Sequence, residues 1–68
     1  MKLIHRDWNE YLGKYQNMWL ANTPSDITAD CDPDGAEGSV ILVISTGSSY
    51  MKNATGEWQK FGGTEVIA

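Results

Sequence analysis

Hydrophobic and polar positions along the chain fall into three unlike stretches. In the first, Trp8, Tyr11, Leu12, Tyr15, Met18 and Trp19 recur at the spacing of one helix face. Asp7, with Glu10 three positions later, has the layout of an N-terminal capping box. This pattern predicts a helix over residues 7–20, although Gly13 costs about 1 kcal/mol inside it. An extended arm with its rings on a neighbouring subunit is the competing expectation. Asn22-Thr23-Pro24 ends either structure, because the residue before a proline avoids helical geometry. The middle stretch carries Pro24 and Pro33 among Asn, Ser, Asp and Gly, the composition of a linker loop. The last stretch changes period. Ser39 to Ser45 is rich in β-branched residues, Ser49 to Lys52 is a second short strand, and Glu57 to Phe61 alternates between two glycine-containing turns. Short strands joined by such turns predict consecutive hairpins.

The expected fold is therefore small α+β or mostly β: an N-terminal helix or arm plus a three-stranded antiparallel β-meander. Its segments are an aromatic helix or arm over 1–21, an acidic linker over 22–38 and the meander over 39–68. Val40, Leu42 and Ile44 face one side of the first meander strand, and Ile41 and Val43 the other. A strand apolar on both faces expects cover on both. The helix would supply one cover and a partner chain the other.

Size sharpens that expectation. The chain has 68 residues. A domain this small buries only about 60% of its unfolded surface. Small scaffolds usually add disulfides, a metal or a partner. Cys31 is the only cysteine and His5 the only histidine, which removes an internal disulfide and a zinc centre from the options. Oligomerisation or docking on a larger body remains. No run approaches the roughly 20 apolar residues of a membrane span. Met-Lys-Leu-Ile-His-Arg-Asp has no apolar signal core behind it, so synthesis in a cytoplasm is expected. Without secretion the acceptor triplet at Asn53 carries no meaning.

The net charge is −4, and Asp26, Asp30, Asp32, Asp34 and Glu37 share one stretch free of Lys and Arg. This argues against nucleic-acid binding, which needs clustered cations. Asp30-Cys31-Asp32-Pro33-Asp34-Gly35 has the D-x-D-x-D-G spacing that opens a calcium loop. The position where that loop needs a bidentate Glu is Ile41, so a plain Asx-rich turn is the stronger reading. His5 and Cys31 have no spacing or context for a nucleophile and its base. No catalytic residue, cofactor or metal ligand is assigned, and an enzyme is not expected. The large rings bury wide areas and favour interfaces. The candidate interface set is Trp8, Tyr11, Tyr15, Trp19, Ile41, Val43, Tyr50 and Trp58.

Gly38-Ser39, then Val43-Ile44, Thr46, Tyr50-Met51, Asn53, Gly56 and Trp58 carry a resemblance. They are similar to a pattern, G-S-x-x-x-V-I-x-T-x-x-x-Y-M-x-N-x-x-G-x-W, of small virion proteins of tailed bacteriophages and prophages, among them capsid decoration and head-fibre proteins. The resemblance stops short of residues 1–30. It implies a non-enzymatic virion structural protein that binds other virion subunits such as capsid or neck proteins. A homo-oligomer is implied too, and three-fold assembly suits fibres and knobs. The alternative is a small acidic phage regulatory protein that inhibits a host enzyme by charge mimicry, for which the acidic stretch is the motive.

Overall fold

The computed structural model describes residues 1–68. It is all-β: one five-stranded mixed sheet and a single 3₁₀ turn. The strands are β1 (Lys2–Asn9), β2 (Lys14–Ala21), β3 (Val40–Val43), β4 (Ser49–Lys52) and β5 (Trp58–Lys60). They lie side by side in chain order. β2 and β3 are parallel, and the other neighbours are antiparallel.

This overturns the expected helix and the expected three-stranded unit. Residues 7–20 are neither helix nor arm: they form most of a hairpin, with Trp8 opposite Tyr15. The chain does start a helix-like turn, since Gly13 N–H donates to Asn9 O at 2.9 Å and Leu12 N–H to Asn9 Oδ1 at 3.1 Å. Gly13 then takes a φ of +62°, which reverses the chain instead of propagating a helix. Tyr and Trp favour strands over helices, and the pairing of Trp8 with Tyr15 uses that preference. β3, β4 and β5 do run antiparallel to one another, but they continue through β3 into the hairpin and are not a separate meander.

Two parallel strands cannot be joined by a tight turn. Residues 22–39 make the crossover. Thr23, before Pro24, is extended, and Pro24–Asp26 form the 3₁₀ turn. The Asp26 carboxylate accepts from Asn22 N–H at 3.1 Å, which holds the chain as it leaves β2. The crossover then runs over one sheet face. It contributes Ile27 to a buried cluster with Ala21, Ile41, Val43, Tyr50 and Trp58, and Trp19, Cys31, Ile67 and Ala68 pack around it. The cover expected from a helix is thus supplied by this irregular segment.

Register explains which side chains face it. Trp19 lies opposite Ile41, Ala21 opposite Val43, Ile41 opposite Tyr50 and Lys52 opposite Trp58. Directly opposed residues share a face. The alternate set therefore points the other way: Met18, Leu20, Val40, Leu42 and Met51. No segment of the chain pairs across that second face.

Candidate functional site

The acidic stretch is the best-anchored part of the crossover. Asp32 is 1% exposed. Its Oδ1 accepts from Asn17 Nδ2 at 2.7 Å and from Trp19 Nε1 at 3.1 Å, both on β2. Lys52 Nζ on β4 lies 3.5 Å from Asp32 Oδ2 and donates to the Asp32 carbonyl at 2.8 Å. It also sits 5.3 Å from the centre of the Trp58 ring. One carboxylate therefore fastens the crossover to two strands, and its charge is matched where water is excluded. Gly35 makes this possible: a Cβ there would fall 1.7 Å from Asp32 Oδ2.

Of the neighbouring carboxylates, Asp34 shares Asn17 Nδ2 with Asp32, at 3.4 Å, and Asp30 turns away. Asp30 accepts from Thr28 Oγ1 at 3.1 Å, and Asp34 pairs with Arg6 of β1. Asp30, Asp32 and Asp34 do not converge on one point, and no group of three or more His, Cys, Asp or Glu side chains gathers anywhere in the chain. The spacing that resembled a calcium loop is a turn in which Gly35 N–H donates to Asp32 O at 3.2 Å. His5 bonds Asp7 at 2.9 Å on an exposed strand, whereas Cys31 packs against the core from the crossover, so the two do not meet.

The candidate interface residues separate into two groups. Ile41, Val43, Tyr50 and Trp58 are buried in the core, and Trp19 packs against it. Trp8 is 56% exposed, and Tyr11 is fully exposed at the hairpin turn. Tyr15 is half-buried. It meets the Trp8 ring edge-on at 5.1 Å between centroids and carries the Arg6 guanidinium 3.8 Å above its centre. Arg6, held by Asp34, thus ties this exposed ring pair to the crossover.

The sequence analysis expected a partner chain on one face of β3 but chose Ile41 and Val43, which are core, and not the residues of the open face. Met18 and Leu42 are 36% and 37% exposed, Leu20, Val40 and Met51 lie beside them, and Ile44 and Phe61 are exposed farther out. Met51 and Phe61 flank a shallow groove at the β4–β5 end whose other walls are Asn53, Gln59, Lys60, Gly62 and Gly63. The signal of the open face was present in Val40, Leu42 and Ile44. Their partners on β2 were hidden because Met18 had been placed on a helix face.

The fold and its surfaces define a small all-β domain with one covered and one open sheet face. No protein-family model, curated protein or solved structure matches the chain.

Proposed function

We propose that this protein is a non-catalytic assembly subunit, a structural component of a bacteriophage virion that docks on other virion proteins. The observation that carries this reading is the surplus of exposed apolar surface. The core cluster holds 6 buried residues, while on the open face Met18 and Leu42 are exposed with Leu20, Val40 and Met51 beside them. A contiguous apolar strip of this kind marks an interaction surface.

The setting comes from the Gly38–Trp58 resemblance. The residues that carry it serve the fold. Ser39 Oγ accepts from Asn17 N–H at 3.1 Å, Tyr50 and Trp58 are core, and Asn53 Oδ1 collects the Thr55 and Glu57 amides at 3.1 and 2.9 Å. Such a pattern describes a scaffold, which supports a structural role. The host-enzyme inhibitor reading has less support: of its five carboxylates Asp32 is buried and Asp26 holds the backbone leaving β2, which leaves Asp30, Asp34 and Glu37 at the surface, with Asp34 paired to Arg6.

Mass spectrometry of purified particles tests the proposal. The protein is expected there in fixed ratio to the major capsid or neck subunit. Its presence in infected-cell lysate and absence from particles would overturn the reading.

A further inference from the structure

The two edges of the sheet differ. The β5 edge is closed by the chain itself: Trp58 N–H donates to Ala68 O at 2.7 Å, Lys60 N–H to Glu65 O at 2.7 Å and Ile67 N–H to Trp58 O at 3.0 Å. The β1 edge has no such cover. β1 is 8 residues long against 4 for β3, and every residue of it except Asn9 is exposed. A row of unpaired backbone N–H and C=O groups is a template for another strand. No proline interrupts β1, and its one irregularity is a bulge between Leu3 and His5.

We propose that β1 pairs antiparallel with β1 of a second copy of this chain, about a two-fold axis normal to the sheet that passes through Arg6. This rests on the assembly reading above and specifies its self-association as two-fold. The axis follows from geometry. A two-fold normal to the sheet keeps each side chain on its own face, so opposed residues must share a face and the centre must fall on a residue. Centring on Asp7 sets two aspartates directly against each other, which is unfavourable. Centring on Arg6 sets His5 of each copy against Asp7 of the other, two complementary pairs on the open-face side. The two Arg6 side chains then meet, but each is neutralised by its own Asp34 and drawn back over its own Tyr15 ring. The same register brings Trp8, 56% exposed, to Ile4 of the second copy, 44% exposed. Cross-strand aromatic and β-branched pairs of this kind stabilise sheets. Two five-stranded sheets join with their open apolar faces on the same side, so the dimer presents a doubled strip to a larger surface.

Sedimentation equilibrium of the full chain is the test, with a cysteine probe of register. The wild type is expected as a dimer. His5→Asp sets like charges opposite each other twice and should weaken dimerisation about tenfold or more, and the swap His5→Asp with Asp7→His should recover most of that loss. In a Cys31→Ser background, Arg6→Cys should give a disulfide-linked dimer on mild oxidation, because opposed strand residues lie about 4.5–5.5 Å apart at Cα, within disulfide reach. Lys2→Cys should not. Circular dichroism checks that each variant folds. A monomer at all concentrations overturns the proposal. So does a dimer that ignores His5→Asp, fails to cross-link at position 6 and dissociates instead on Leu42→Lys, which would be a face-to-face dimer. Neither result bears on whether the protein is found in particles, so pairing and virion role fail separately.

Discussion

At Gly35 the absence of a side chain decides whether the crossover can close. An added Cβ would meet Asp32 Oδ2 at 1.7 Å and Cγ at 2.4 Å. The carboxylate cannot move aside without leaving Asn17 and Trp19, and Lys52 would then be a buried cation with its counter-charge displaced. Breaking one side of a buried pair costs about 3–5 kcal/mol. Gly35→Ala is therefore expected to destabilise by about 3 kcal/mol or more, read as a lowered urea midpoint by tryptophan fluorescence. Gly38→Ala is the contrast. Its Cβ meets only the end of the Gln16 side chain, at 2.7 Å, and its main penalty is a φ of +89°. That left-handed geometry costs an L-residue about 1–2 kcal/mol. If Gly38→Ala proved the costlier change, the Asp32 tie would not be the principal fastening. The identity of this tie was only half legible in the sequence. Gly35 and the alternating aspartates stood out and read as a plain Asx-rich turn, with nothing to mark one carboxylate as pointing inward. Whether a carboxylate points in or out depends on partners far along the chain, here Asn17, Trp19 and Lys52, and spacing within a loop carries no information about them.

At the scale of elements, the strands after residue 38 were legible because β-branched residues and glycine turns agree there. The hairpin was not. Trp8, Tyr11, Tyr15 and Trp19 fit a helical period, while the inward positions of β2 run Tyr15, Asn17, Trp19 and Ala21, and the polar Asn17 breaks the alternation that would have revealed a strand. Asn17 is polar because it serves Asp32, so a buried hydrogen bond concealed the period. The crossover was hidden for a similar reason: its composition is that of a loop, although Ile27 and Ala36 are buried and Ala36 N–H donates to Tyr15 O at 2.7 Å. The closing segment at the β5 edge, residues 65–68, lies beyond the last strand that the pattern predicts. Removing residues 65–68 would delete its backbone bonds to Trp58 and Lys60 and the packing of Ile67 and Ala68 on the core. At about 1 kcal/mol net per hydrogen bond, plus lost burial, a destabilisation of about 3–4 kcal/mol is expected. The truncated chain would also carry a second open edge, so light scattering should show aggregation that rises with concentration. An unchanged melting temperature would show that this segment does not close the edge.

For the whole molecule, folding and docking should be separable, because they use opposite faces of one sheet. β3 shows this in adjacent residues. Ile41 is fully buried under the crossover, while Leu42 points to the open face and is 37% exposed. Ile41→Ala should cost about 2–5 kcal/mol, the usual range for emptying a core site. Leu42→Lys removes no core contact, and a lysine stem can lie along the apolar strip with its ammonium in water. Its effect on stability should stay within about 1 kcal/mol. On a docking surface the same change places a charge at the centre of an apolar contact, where an unpaired charge is strongly disfavoured. On the virion-subunit proposal, complementation of a phage lacking the gene would check this. Leu42→Lys should give folded subunit, with a near-normal thermal melt, that is missing from purified particles, whereas an exposed change away from the strip, such as Thr55→Ala, should be incorporated normally. Normal incorporation of Leu42→Lys would mean that the open face is not what the particle binds, and would shift the contact to the Trp8–Tyr15 side of the hairpin. Loss of both variants together with a lowered melt would mean that the two faces are not independent, and the single-sheet design would then have to be read as one cooperative unit completed only on the particle.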